Sequence, residues 1–112
     1  MSKAIDKNLK DFVHLYVDSL VAWAVIVFYH ENPSVRDRVT DLARHLGRRE
    51  DDIARAVEEL AVKGLLKKEE IDGEAIFVYE PDSALREQVN SFVDALDSRD
   101  LRLWILAEVL DR

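Results

Sequence analysis

The chain contains no cysteine, only three glycines and two prolines, and no recognisable catalytic motif. Without cysteine it forms no disulfide and offers no thiolate to a metal or redox site. Three scattered glycines do not build a glycine-rich phosphate-binding loop, and no nucleophile stands in a known pattern with a base. We therefore predict that the protein is not an enzyme and carries no cofactor.

Long apolar segments are missing as well. The most apolar run, residues 20–29, is about half of the ~20 residues that a membrane-spanning helix requires, which favours a buried helix. No charged and then apolar leader of the secretory type opens the chain. We expect a cytoplasmic protein without membrane contact, and 112 residues with 48% apolar and 35% charged side chains suit one domain.

Residues 40–64 carry the pattern of two short helices joined by a turn. Thr40 is a candidate cap for the first helix, and Gly47 suits its end because glycine enters the left-handed region freely. The second helix is expected to stop at Lys63-Gly64. The apolar residues at helical spacing are Leu42, Ala43 and Leu46 in the first helix and Ile53, Ala56, Val57, Leu60 and Ala61 in the second.

A hairpin and flanking helices complete the predicted fold. Residues 65–71 and 75–79 flank Asp72-Gly73-Glu74, and an Asp-Gly pair tolerates the positive φ that a hairpin turn needs. One helix is expected over about residues 5–30, and two more begin at Pro81-Asp82-Ser83 and Asp97-Ser98. The prediction is a mainly α fold with a small β-hairpin, in a single domain (1–112) made of an N-terminal helix (1–33), a core (34–80) and C-terminal helices (81–112).

The core resembles the winged helix-turn-helix superfamily of bacterial and archaeal transcription regulators. The resemblance covers residues 39–79 and is carried by the stretches VTDLARHLG (39–47), IARAVEEL (53–60) and KGLL (63–66). It implies that the helix around residues 51–63 enters the DNA major groove, that the 65–79 hairpin is the wing, and that flanking helices build a homodimer. The layout is similar to small MarR-type and arsenic-repressor-type regulators.

The charge distribution bears on this hypothesis. The net charge is −7, yet residues 34–68 hold nine basic and seven acidic side chains, a local charge of +2 against −9 for the rest. A weakly positive core on an acidic body is compatible with a DNA-facing surface. The residues assigned to DNA contact are Arg36, Arg38, Thr40, Arg44, Arg48, Arg49, Arg55, Lys67 and Lys68.

Acidic residues leave a second hypothesis open. Glu50-Asp51-Asp52 stands where many superfamily members have polar or basic side chains; these carboxylates either complement the helix dipole or accept from cytosine amino groups. Arg55 has the spacing to pair with Asp52 or Glu59 instead of DNA. The alternative function is a winged-helix interaction module that docks a basic protein partner and binds no DNA.

Two further features concern partners and metals. The first and last helices are apolar on most faces, so we predict a dimer rather than mutual burial within one subunit. The proposed interface residues are Leu20, Trp23, Val27, Phe92, Leu96, Leu101, Trp104 and Ile105, and Trp23 and Trp104 also mark an apolar cleft for a small molecule. Asp11, His14 and Asp18 share one helical face, but we interpret them, like His45, as surface residues and predict no metal site.

Overall fold

In a computed structural model, which describes residues 5–112, six helices surround one antiparallel hairpin, so the predicted mainly α fold with a small β-hairpin is confirmed. The elements in chain order are α1 (Lys7–Tyr16), α2 (Leu20–Glu31), α3 (Val39–Leu46), α4 (Glu50–Val62), β1 (Leu66–Ile71), β2 (Glu74–Tyr79), α5 (Ser83–Ala95) and α6 (Arg99–Leu110).

The N-terminal segment is two helices, so the prediction of one helix over residues 5–30 is wrong. The chain leaves α1 at Val17, and α2 restarts where the Ser19 hydroxyl accepts a hydrogen bond from the Ala22 N–H at 3.0 Å. The helix axes meet at 110°. This corner lets α1 pack on α5 while α2 packs on α4.

No single helix among residues 5–112 is long and apolar enough to cross a bilayer. The consecutive helices α1 and α2 reach that length and hydropathy only when they are taken together across their bend.

The helix-turn-helix segment forms as predicted, apart from its first cap. Arg38 rather than Thr40 is the N-cap of α3, because the Asp41 carboxylate accepts from the Arg38 backbone N–H at 3.2 Å. Gly47 ends α3 with φ +63°. At the end of α4, Lys63 is the C-cap and Gly64 follows with φ +85°.

The hairpin closes through a two-residue turn. Ile71 pairs with Glu74, and Asp72 and Gly73 between them have φ of +54° and +80°, the combination that a type I′ turn requires. An isolated antiparallel bridge, not predicted from the sequence, joins Asp37 to the hairpin, because the Asp37 carbonyl accepts from the Phe77 N–H at 3.0 Å. The segment before α3 is therefore tied to the hairpin.

The core lies between α2, α4, the hairpin and α5. Its largest fully buried side chains include Tyr29, Phe12, Phe77 and Phe92. The Tyr29 hydroxyl donates to the Phe77 carbonyl at 2.8 Å, which connects α2 to β2 inside the core. The predicted caps of the last two helices are confirmed, because Asp82 caps α5 and Ser98 caps α6.

Candidate nucleic-acid interface

The outward face of α4 is mostly acidic. Its inward face is formed by the buried Ile53, Ala56, Val57 and Leu60. The opposite face, at helical spacing, presents Asp51, Arg55, Glu58 and Val62, all exposed, with Val62 at 87% of its full accessibility. A helix that enters a DNA groove by this face would bring two carboxylates and one guanidinium.

Four of the predicted DNA-contact arginines are exposed and form no ion pair within 4.0 Å: Arg44 on α3, Arg48 and Arg49 in the turn, and Arg55 on α4. Within residues 5–112, no carboxylate oxygen lies within 4.0 Å of their nitrogens. The alternative in which Arg55 pairs with Asp52 or Glu59 is therefore not formed. These four guanidinium groups are open to an external anion.

The cations of the hairpin and of the segment before α3 are in the opposite situation, because each contacts an acidic side chain. The pairs are Arg36 with Glu69 (2.9 Å), Arg38 with Asp41 (3.2 Å) and Glu74 (3.0 Å), Lys67 with Glu80 (3.6 Å) and Lys68 with Glu58 (2.8 Å). The hydrogen bonds from Arg38 lower the pKa of Asp41. The hydrogen bond to Glu58 raises the pKa of Lys68. Thr40 is exposed beside this set and is uncharged.

Arg48 also borders an apolar groove of about 500 Å³ beside α2. We call this the α2 groove; it is lined by Leu20, Trp23, Ala24, Val27, Phe28, Glu31, Leu46, Arg48 and Leu106. The groove thus contains three residues of the predicted dimer interface and reaches the turn between α3 and α4.

Part of the predicted dimer interface lies inside the protomer. Phe92 and Ile105 are 0% exposed and belong to its own core, so they are not available to a partner. Leu96, Leu101 and Trp104 are half-buried. Helical spacing alone did not separate the inward from the outward side of helices that are apolar almost all round.

The partly buried carboxylate of Asp37, just before α3, was not anticipated from the sequence. Burial, more than any other influence, raises the pKa of Asp37, and His45 at 3.5 Å opposes that rise. The Asp37 Oδ2 atom is inaccessible and has no hydrogen-bond partner. His45, half exposed, stacks on Phe28 with ring centroids 5.9 Å apart. This group joins α3, α2 and the hairpin close to the open arginines.

The residues considered as metal ligands do not come together. Asp18 lies beyond the end of α1, so the single helical face assumed for Asp11, His14 and Asp18 does not exist. Asp11 lies 3.7 Å from Lys7, and His14 lies 3.2 Å from Glu108. In the part of the chain that the structure describes, no three His, Asp or Glu side chains are arranged to hold a metal ion.

Comparison with known proteins gives no relative: no protein-family model, no curated protein and no solved structure matches this chain.

Proposed function

We propose that this protein is a DNA-binding transcriptional regulator that acts as a homodimer in the cytoplasm. The observation that carries the proposal is the contrast between open and paired cations. Open guanidinium groups lie on α3, on the turn and on α4, the elements that a winged helix presents to DNA, whereas the hairpin cations are already neutralised.

In this proposal α4 approaches the major groove mainly by its N-terminal end. Arg49 immediately precedes the helix, Arg55 follows on its outward face, and a guanidinium pairs in two-point geometry with a guanine edge or a phosphate. Asp51 and Glu58 on the same face repel phosphates and restrict the contact to bases that offer an amino group. Arg44 on α3 lies closer to the backbone side of such a complex and contacts phosphate.

In the proposed complex the hairpin lies against DNA but offers little free positive charge. Lys67 and Lys68 at its base have Glu80 and Glu58 as neighbours, so their contact with phosphate requires that these pairs break. We therefore expect moderate affinity and a shallow dependence on salt, because counterion release scales with the number of phosphates that the protein neutralises.

A second candidate function has its own observation. The acidic outward face of α4 ends at Val62, an almost fully exposed apolar side chain. Carboxylates around one exposed apolar residue suit a basic protein partner with an apolar anchor. This interaction module is the alternative if DNA does not bind.

The test is fluorescence anisotropy with random duplex DNA and with the DNA upstream of the protein's own gene, each at two salt concentrations. The double variant Arg49→Ala/Arg55→Ala is compared with Arg36→Ala/Lys67→Ala, which removes the same charge from paired positions. We expect the first to weaken binding at least about tenfold and the second less than about threefold.

Two results would contradict the proposal. Equal losses for the two double variants would indicate unspecific attraction to net charge. Absence of binding by the folded wild-type protein at low salt would favour the interaction module, which a pull-down with a basic peptide array then tests.

A further inference from the structure

Two apolar stripes on one side of the protomer are only partly covered by the rest of it. On α2, Leu20, Trp23, Ala24 and Val27 recur at i, i+3, i+4 and i+7 along the α2 groove. On α6, the same spacing relates the residues that we call the α6 stripe: Leu103, Leu106, Ala107 and Leu110. Leu20, Leu103 and Leu110 are 40%, 50% and 62% exposed. Contiguous exposed apolar surface of this kind marks an interaction site.

The two stripes meet, because Leu106 belongs to the α6 stripe and also lines the α2 groove. A recess and a ridge therefore lie side by side on one molecule. This is the requirement for a two-fold interface, in which the same patch serves on both copies and each side supplies what the other receives. Matching i, i+3, i+4 rows also suit helix-to-helix packing.

Charge indicates which partner fits. The chain carries a net charge of −7, so two copies repel each other over most of their surface. The α2 groove has one acid and one base, Glu31 and Arg48, and the α6 stripe has no charge. On this side two copies approach without meeting net like charge, and nothing in the lining selects a charged foreign partner.

We propose that the α6 stripe of one copy fills the α2 groove of a second copy, and the reverse, around a two-fold axis. The contact then extends to Leu46 and Arg48 in the turn between α3 and α4, so that Arg48 is a dimer residue and not a DNA residue. Where the proposed function also holds, the second copy fixes the turn that positions Arg49, and dimer formation strengthens DNA binding.

The first test measures mass by analytical ultracentrifugation over a wide concentration range. We expect a wild-type dimer, twice 12.9 kDa. Leu103→Glu and Leu110→Glu should each raise the dimer dissociation constant at least about a hundredfold, because each buries an unpaired charge. Both side chains are half or more exposed in the protomer, so the variants should fold, which circular dichroism checks.

The matched control is Val62→Glu, which adds the same charge to an exposed apolar position on α4 outside the groove and the stripe. It should change the dissociation constant less than about threefold. A wild-type mass that stays monomeric at every concentration overturns the proposal, and so does an equal effect of Val62→Glu and Leu103→Glu.

A second pair of variants tests whether the interface reaches the turn. Arg48 lines the groove and Arg49 does not, although both are exposed arginines. Arg48→Glu should weaken the dimer about tenfold by placing a second carboxylate beside Glu31, and Arg49→Glu should leave it unchanged. Equal dissociation constants for the two variants would exclude the turn from the interface. These measurements use no DNA, so they remain decisive if the protein proves not to bind it.

Discussion

The hairpin and the helix-turn-helix segment of this protein both carry several cations, but they differ in what those cations contact. On the hairpin and just before α3, Arg36, Lys67 and Lys68 each lie within 4.0 Å of a carboxylate. On the turn and α4, Arg49 and Arg55 have no such neighbour in residues 5–112. The number of basic residues in a segment therefore does not measure the charge that it can offer to DNA.

The difference follows from which acids the fold brings close. Glu69 and Glu74 project from the hairpin towards the segment before α3, and Glu58 projects from α4 towards β1. The acids at the start of α4, from Glu50 to Asp52, lie in its first turn, where they complement the helix dipole and form no ion pair with the arginines. Two sets of three acidic residues thus have different effects on the nearby cations.

The largest effect is expected at the hydrogen bond that anchors the hairpin to α2. Tyr29→Phe removes the donor to the Phe77 carbonyl and leaves that buried oxygen without a partner, which should lower the free energy of unfolding by about 1–3 kcal/mol. Burial raises the pKa of Tyr29, so its hydroxyl remains a donor at all ordinary pH values. Urea denaturation followed by tryptophan fluorescence measures the change.

Tyr79→Phe is the matched control, because the Tyr79 hydroxyl is buried on β2 without a hydrogen-bond partner. Removing an unsatisfied polar group should leave stability unchanged or increase it. Equal destabilisation by the two variants would mean that the Tyr29 hydrogen bond is not the link between α2 and the hairpin.

Removing the acidic partner of a hairpin cation should make that cation available to phosphate, as the arginines of the turn and α4 are. Glu58→Gln removes the charge opposite Lys68, and Glu69→Gln removes the charge opposite Arg36. If the freed cation reaches a phosphate, DNA affinity at 0.1 M salt should rise roughly five- to tenfold, and the slope of log K against log salt should steepen by about 0.9. Anisotropy titrations at several salt concentrations give both quantities.

The control for that prediction is Glu87→Gln, which removes the same charge from an exposed position on α5. An increase in affinity that is as large for this variant would show that net charge alone is responsible. An unchanged slope for the Glu58→Gln and Glu69→Gln variants would place the hairpin outside the contact with DNA.

The carboxylates of Asp37 and Asp41 should make contributions to stability that change with pH in opposite directions. Burial raises the pKa of Asp37 in the folded state, so its cost is fully present at neutral pH and is relieved as pH falls through that raised pKa. Arg38 lowers the pKa of Asp41, so the contribution of Asp41 is present above its unfolded pKa and is lost as pH falls through the folded one.

Asp37→Asn tests the first of these signs. The variant should be as stable as wild type or more stable at pH 7, and should lose the stabilisation that the wild type gains as pH falls towards about 4. Its slope of unfolding free energy against pH should change by up to about 1.4 kcal/mol per pH unit in that window. A variant that is less stable at pH 7 would show that the ionised Asp37 is favourable, through His45 at 3.5 Å.

The parts of the fold that local chemistry determines could be predicted from the sequence. Asp72-Gly73 specifies a turn with two positive φ values, and Gly47 and Lys63-Gly64 end their helices wherever the rest of the chain lies. The corner at Val17 was missed because apolar residues continue on both sides of it, although Asp18-Ser19 offers the same cap signal as Asp97-Ser98 and the Ser19 hydroxyl caps α2. Packing of α1 on α5 and of α2 on α4 accompanies the break, and that packing is not visible in the sequence.

The candidate site was predictable in outline but not in its electrostatics. The positions of Arg49 and Arg55 follow from the helix-turn-helix pattern. The pairs Arg36 with Glu69 and Arg38 with Glu74 join residues 33 and 36 positions apart, so no local pattern reveals them. The same is true of the bridge between Asp37 and Phe77, beside which one carboxylate oxygen of Asp37 is inaccessible to solvent.

The smallest expected effect concerns the stability of the surface pairs themselves. Arg36→Ala removes the contact with Glu69 and should lower the free energy of unfolding by about 0.2–1 kcal/mol, less at high salt. Arg44→Ala, at an exposed position without an acidic partner in the described chain, should change it by less than about 0.5 kcal/mol. Urea denaturation at low and high salt separates the two variants.

A salt-dependent loss for Arg36→Ala, together with none for Arg44→Ala, would show that the difference between paired and open cations persists in solution. An equal, salt-independent change in unfolding free energy for the two variants would mean that the ion pair between Arg36 and Glu69 does not form in solution. The hairpin cations would then be as open as those of α4, and the proposed DNA surface would extend over both.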